Sequence, residues 1–211
     1  GSAGTGKTLI GFEQARRWAC QGSVLFVCFN SRLADSLRVR CRSLEQSNIT
    51  VYNYHHLVKN LIEKAGIAFN LSEGWDAFNE SAFDLVFQAI QSSSEFQPFD
   101  YLVIDEAQDL LSKEFFDVLD LLLNRGFERG RWCVCVDPEQ AIYTTQYDRG
   151  TYEKVLSLGH KISLTVNCRN TKPISAYFCG ISNIGQKAVR STAGPDVVIE
   201  YYKDFQDYQK L

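Results

Sequence analysis

Gly1-Ser2-Ala3-Gly4-Thr5-Gly6-Lys7-Thr8 is the stretch on which the fold turns. Its Gly-x-x-x-x-Gly-Lys-Thr spacing is that of a phosphate-binding loop opening a helix. Glycines let the backbone aim successive N–H groups at phosphate oxygens, and the following helix N-terminus adds partial positive charge. In such a loop Gly1, Ser2, Ala3, Gly4, Thr5 and Gly6 cradle the phosphates of ATP. Lys7 reaches the β- and γ-phosphates, and the Thr8 hydroxyl reaches Mg²⁺. A glycine-rich turn that merely caps a helix has similar wording, so support must come from elsewhere in the chain.

That support is Asp105-Glu106-Ala107-Gln108-Asp109, which follows the apolar run Tyr101-Leu102-Val103-Ile104. A short β-rich apolar run reads as a buried parallel strand, and ligand sites in open α/β sheets lie at the carboxyl ends of such strands. Asp105 is placed to hold Mg²⁺, and Glu106 to orient and deprotonate the attacking water. An acidic helix start in solvent is the plain alternative. The agreement of strand, acid pair and upstream loop favours the site.

Outward from these motifs, strand-like and helix-like segments alternate, the pattern of an α/β domain with a mostly parallel sheet. Helices are expected over residues 7–20, 31–42 (with Ser31 as N-cap), much of 54–94 with breaks near Gly66 and Gly74, 110–124, and from Pro173 to about 184. Strands are expected at 24–29, 49–52, 101–104, 132–136, 162–164 and from 197 to 202. A boundary is expected near Gly159–Ser163, which divides the chain into 1–160, with a reduced helical insertion at about 56–98, and an incomplete unit at 161–211.

Composition excludes several classes. Apolar residues make up 45% and charged residues 22%, an ordinary globular balance. No run approaches the roughly 20 apolar residues that span a bilayer, and no signal-peptide pattern opens the chain. With 22 basic and 25 acidic residues the net charge is −3, so nucleic acid binding requires a local groove, not a polycationic surface. The seven cysteines form no CxxC pair, and several lie in apolar runs, which points to free thiols in a reducing cytoplasm. The chain holds no Met and starts on the loop itself, so it reads as a piece of something larger.

The wording of these segments resembles UvrD/Rep-like superfamily 1 helicases. Gly1–Thr8 and Asp105–Leu110 are close to that family's motifs I and II. In family order follow CFNSRLADSL (motif Ia), VYNYHHL (the Thr-x-His region), VDPEQAIY (motif III) and LTVNCRNTKPI (motif IV), together spanning residue 1 to about 174. The resemblance implies an α/β, RecA-like P-loop NTPase with the start of a second RecA-like domain. It implies ATP and Mg²⁺ as cofactors, and ATP-dependent movement on single-stranded DNA, with RNA left open. It assigns Gln140 to sensing the γ-phosphate, Asp137 to supporting that loop, and Arg169 to an arginine finger, for which a guanidinium is suited. It places Phe29, Asn30, His55 and Tyr143 toward nucleic acid, where aromatic faces stack on bases and polar groups bond phosphates. Read alone, Phe29 equally suits the core, Tyr143 equally suits packing under motif III, and Arg169 suits a surface ion pair. His56 reads as structural.

The chain departs from the pattern at Asn53, where the family usually has Thr, and at Thr145, where many members stack a Trp on a base. The family's adenine-recognising Gln motif and its motifs V and VI have no counterpart here, so these residues alone are not expected to be a working motor. Two other readings stay open: a nucleotide switch that binds nucleic acid or a partner without unwinding, and a P-loop kinase. The kinase reading gives no reason for Asn167-x-Arg169 or Asp137-x-x-Gln140.

Overall fold

A computed structural model describes residues 4–69, 74–137, 148–182, 187–188 and 194–198. Residues cluster into two units. One holds Lys7–Ser163; the other joins residues 4–6 of the loop to the chain from Leu164 onward.

The first unit is built on four parallel strands: β1 (Val24–Cys28), β2 (Ile49–Asn53), β3 (Tyr101–Asp105) and β4 (Arg131–Val134), in the order β2-β1-β3-β4. β1 pairs with β2 from Val24↔Ile49 to Cys28↔Asn53, and with β3 from Val24↔Tyr101 to Cys28↔Asp105. β1 and β3 are buried on both faces, which is why they read as continuous apolar runs. Val24, Phe26 and Val103 pack with Phe12 and Ala15 of α1 (Lys7–Trp18) and with Ala34 and Leu37 of α2 (Ser31–Ser43). Leu25, Val27, Leu102 and Ile104 share the opposite core with three helices. These are α3 (Tyr54–Lys64), α4 (Trp75–Ser92) and α5 (Lys113–Leu122). Each fully buried Leu or Phe contributes about 1.5–3 kcal/mol here, so this two-sided packing is what holds the carboxyl ends of the strands level.

The expected α/β class with a parallel sheet flanked by helices is the observed one, and it is consistent with a RecA-like P-loop fold. Local expectations need correction. Asn30, not Ser31, caps α2: its Oδ1 accepts from the Leu33 N–H at 3.2 Å. The helix expected from Leu110 begins at Lys113, because residues 107–109 form a 3-10 turn and Ser112 supplies the cap. A short helix α6 (Gly126–Arg129) follows α5. The unexpected α7 (Arg149–Leu158) is capped by Asp148, whose carboxylate accepts from the Gly150 and Thr151 N–H groups. Residues 162–164 form no strand, although Ile162 is apolar: its side chain is 82% exposed, so burial offers nothing to recruit it.

In the second unit a short strand β5 (Val166–Asn167) pairs in parallel with β6 (Lys187–Ala188), and α8 (Lys172–Ser182) lies between them in sequence. β6 was not anticipated. Residues 197–198 are irregular, and the rest of the strand expected to 202 lies outside the described residues. The expected end of the last helix at residue 184 also lies outside them.

Among the described cysteines all six are free. Cys28, Cys41 and Cys135 are buried and Cys133 is half-buried, but Cys20 and Cys168 are exposed.

Candidate active site at the strand ends

β3 ends on Asp105, a wholly buried aspartate. Neither of its carboxylate oxygens has a hydrogen-bond partner. Burial pushes its pKa up, while the neighbouring Thr8 side chain acts in the opposite sense. A buried carboxylate with donors near it but no well-formed hydrogen bond is an unfavourable arrangement that a hard cation relieves. Thr8, on the first turn of α1, brings a hydroxyl toward the same point. The pair therefore fits a divalent ion such as Mg²⁺.

Glu106 follows with φ 50° and ψ 47°, a left-handed backbone that costs a residue with a Cβ about 1–2 kcal/mol. Surrounding bonds hold it there. The Cys135 N–H donates to the Ile104 carbonyl at 2.8 Å, and the Ala107 N–H donates to the Cys135 carbonyl at 2.9 Å. These two rungs lace the end of β3 to the segment after β4. The result is a half-buried Glu106 at the sheet's carboxyl edge, next to the buried Asp105.

Lys7, at the start of α1, forms a buried ion pair with Asp137, Nζ to Oδ2 at 3.1 Å, with the side chains 8% and 1% exposed. Removing one member of such a pair strands the other charge and typically costs about 3–5 kcal/mol. The Cys135 thiol donates to the Lys7 carbonyl at 3.5 Å, a second tie between α1 and this segment. An ammonium, three carboxyl groups and a hydroxyl, from residues 7, 137, 105, 106 and 8, thus meet at one strand edge. That set can bind polyphosphate with a metal and activate a water molecule.

The remaining expected residues fall as follows. In the loop Gly4 and Gly6 have φ of 78° and 85°, where a side chain would strain the backbone, and Thr5 is buried. Within the second unit the Cys168 N–H donates to the Gly4 carbonyl at 2.9 Å, and a Cβ on Gly4 would lie 2.8 Å from Asn167 Oδ1. Only glycine permits that approach. Arg169 is exposed, and its N–H donates to Asn167 Oδ1 at 2.9 Å. Phe29 is half-buried and meets the His55 ring edge-on, centroids 5.4 Å apart; His55 in turn packs edge-on against Tyr54 and Phe115. Asn30 is exposed but spends its Oδ1 as a helix cap. Gly1, Ser2, Ala3, Gln140 and Tyr143 lie outside the described residues, as does Thr145.

The sequence reading gave Gln108 no task. It is 3% exposed and bridges Glu106 to Asp137, donating from Nε2 to Glu106 Oε2 at 2.7 Å and accepting the Asp137 N–H on Oε1 at 3.0 Å. Its place two residues after Glu106 was the available signal, but a polar residue in a turn usually faces solvent.

The fold is consistent with a RecA-like, P-loop α/β domain. The family model for the Schlafen group 3 DNA/RNA helicase domain matches residues 1–206, and the chain belongs to that family. No curated protein matches the chain.

Proposed function

We propose that this chain carries the ATP-hydrolysing site of a UvrD/Rep-like superfamily 1 helicase or translocase that moves on single-stranded nucleic acid, with DNA the substrate to test first. The observation that carries the reading is the convergence of the buried Lys7–Asp137 pair with the hydrogen-bond-free Asp105 and the neighbouring Glu106 at the ends of β3 and β4. The helicase family and the ordered run of motif-like segments support it.

In this reading residues 1–6 wrap the phosphates of ATP, and Lys7 exchanges Asp137 for the β- and γ-phosphate oxygens. Thr8 and Asp105 hold Mg²⁺, which when bound supplies positive charge that offsets the charge of the phosphates. Glu106 orients a water molecule toward the γ-phosphorus and takes its proton as the new phosphorus–oxygen bond forms and the bond to the β–γ bridging oxygen breaks, releasing ADP and inorganic phosphate. Lys7, Gln140 and Arg169 stabilise the negative charge spread over the transferred group. Phe29, Asn30, His55 and Tyr143 face the strand. Residues 161–211 begin the second RecA-like domain, and closing of two such domains on ATP drives the step.

The test is ATP hydrolysis by the full-length protein with and without single-stranded DNA or RNA. Stimulation by single strands, with movement on a labelled duplex, is the expected result. Tight ATP binding with no stimulation favours a nucleotide switch, and phosphate transferred to a small acceptor favours a kinase.

A further inference from the structure

We propose that Gln108 is a positioning residue, which aims the Glu106 carboxylate by tying it to the Asp137 segment; this rests on the role given to Glu106 above. The chemistry of its two partners fixes the orientation of the amide. A carboxylate oxygen can only accept, so it takes the Nε2 donor, and a backbone N–H can only donate, so it takes Oε1. A flipped amide would oppose acceptor to acceptor and donor to donor. Gln108 is also nearly fully buried, so water offers it little alternative.

The position is demanding. Glutamate there would set one carboxylate against another, lysine could not accept the Asp137 N–H, and asparagine is shorter by one methylene. Two backbone rungs already join the segments at Ile104–Cys135 and Ala107–Cys135. The Gln108 side chain is a third rung, and it alone of the three ends on a side chain of the site. Glu106 sits on a left-handed backbone, and its flexible side chain would otherwise sample several rotamers. Asp137, at the other end of the bridge, is the partner of Lys7. Before nucleotide binds, Lys7 and Glu106 are thus linked through Asp137 and Gln108, and once Lys7 turns to phosphate the Gln108 bonds to Glu106 and to the Asp137 N–H remain to hold the carboxylate. The bridge acts through Glu106, and no contact of Gln108 with nucleotide is required.

The experiment compares Gln108→Met, which keeps length and loses both bonds, with the parent in the full-length protein. Steady-state ATPase is measured alongside binding of ADP and of ADP with aluminium fluoride, a mimic of the transferring phosphoryl group and its attacking ligand. The expected result is a fall in kcat of tenfold or more with KM for ATP within about twofold, the mark of an interaction made in the transition state. ADP affinity stays level while affinity for ADP–aluminium fluoride falls by a similar factor. In a Glu106→Gln background the same change costs nothing further, because the residue it acts through is already gone. Gln108→Asn serves as a second variant should the first fail to fold, with a loss in the same direction. Unchanged kcat in either folded variant overturns the proposal. So does an equal loss of ADP and ADP–aluminium fluoride binding that adds to the Glu106→Gln effect, which marks a merely structural residue. A parent protein with no turnover and no preference for ADP–aluminium fluoride over ADP overturns the ATPase reading and this proposal with it.

Discussion

Asn53 and Asp105 stand level with Cys28 in the parallel sheet, one on each neighbouring strand. Both end a strand, and both are buried polar residues. Their surroundings differ. Asn53 uses its whole amide: Nδ2 donates to the Phe29 carbonyl, and Oδ1 accepts the His56 N–H at 3.3 Å to cap α3. Asp105 has neither oxygen hydrogen-bonded. The satisfied position serves the fold, and the unsatisfied one is held by the fold for something the fold does not itself require. The comparison also accounts for Asn53 as a departure from Thr. Either side chain can cap a helix, and asparagine adds a donor for Phe29.

The comparison can be broken at its strongest point by Glu106→Gln. This change next to Asp105 is expected to lower ATP turnover by about 10²–10⁴-fold, the usual contribution of a positioned base, with ATP affinity near that of the parent. Single-turnover kinetics and nucleotide binding check it, and retained turnover removes Glu106 from its role.

Asp105→Asn separates function from stability at the same strand end. Turnover and Mg²⁺ dependence should be lost, yet the protein should melt higher, by roughly 2–4 °C if the relief is about 1 kcal/mol. The sign follows from the raised pKa. A carboxylate harder to ionise when folded destabilises the fold increasingly as pH rises through the ordinary aspartate value of 3.8 toward the higher folded value. The advantage of the variant therefore grows with pH and vanishes in acid. A lower melting temperature at neutral pH would show that Asp105 is structurally satisfied after all.

Asn53→Ala should do the reverse. Loss of the cap costs about 1 kcal/mol and the abandoned Phe29 carbonyl about 1–3 more, while nucleotide binding stays close to that of the parent. Denaturant unfolding beside nucleotide titration tests it; a large loss of nucleotide affinity at unchanged stability would erase the contrast between the two strand ends.

Asp148→Ala sharpens the contrast with a satisfied carboxylate. The Thr151 hydroxyl and backbone, with the Gly150 N–H, hold the Asp148 pKa below its ordinary 3.8. Its contribution is therefore present above that value and lost as pH falls through the depressed one, opposite in sense to Asp105. The variant should lose about 1 kcal/mol at neutral pH, and nothing in strong acid. Unfolding curves at the two pH values decide.

How much was legible follows the physics of each signal. β1 and β3 announced themselves because burial on both faces demands unbroken apolar runs, and Gly66 marked the end of α3 because its φ of 68° suits glycine. The loop and the acid pair were legible as candidates because phosphate and metal chemistry, wherever it operates, restricts residue type and spacing together. α7 escaped because its few buried positions, Thr151 and Val155, make a weak periodic signal. Asn30 was assigned to nucleic acid by resemblance, and its cap became visible only with the Leu33 N–H in place.

The sequence by itself determined the α/β class, and it marked residues 1–8 as a candidate phosphate loop and Lys7, Thr8, Asp105 and Glu106 as the candidate chemical set. These are local properties, written in periodicity and in residue types at fixed spacing. Tertiary structure alone decided that Asp137 pairs with Lys7 across 130 positions of chain, that Asp105 is left without a hydrogen bond while Asn53 is not, and that Gln108 joins Glu106 to Asp137. A hydrogen bond between distant segments depends on how the sheet brings strand ends together, and no local pattern of residues encodes that distance.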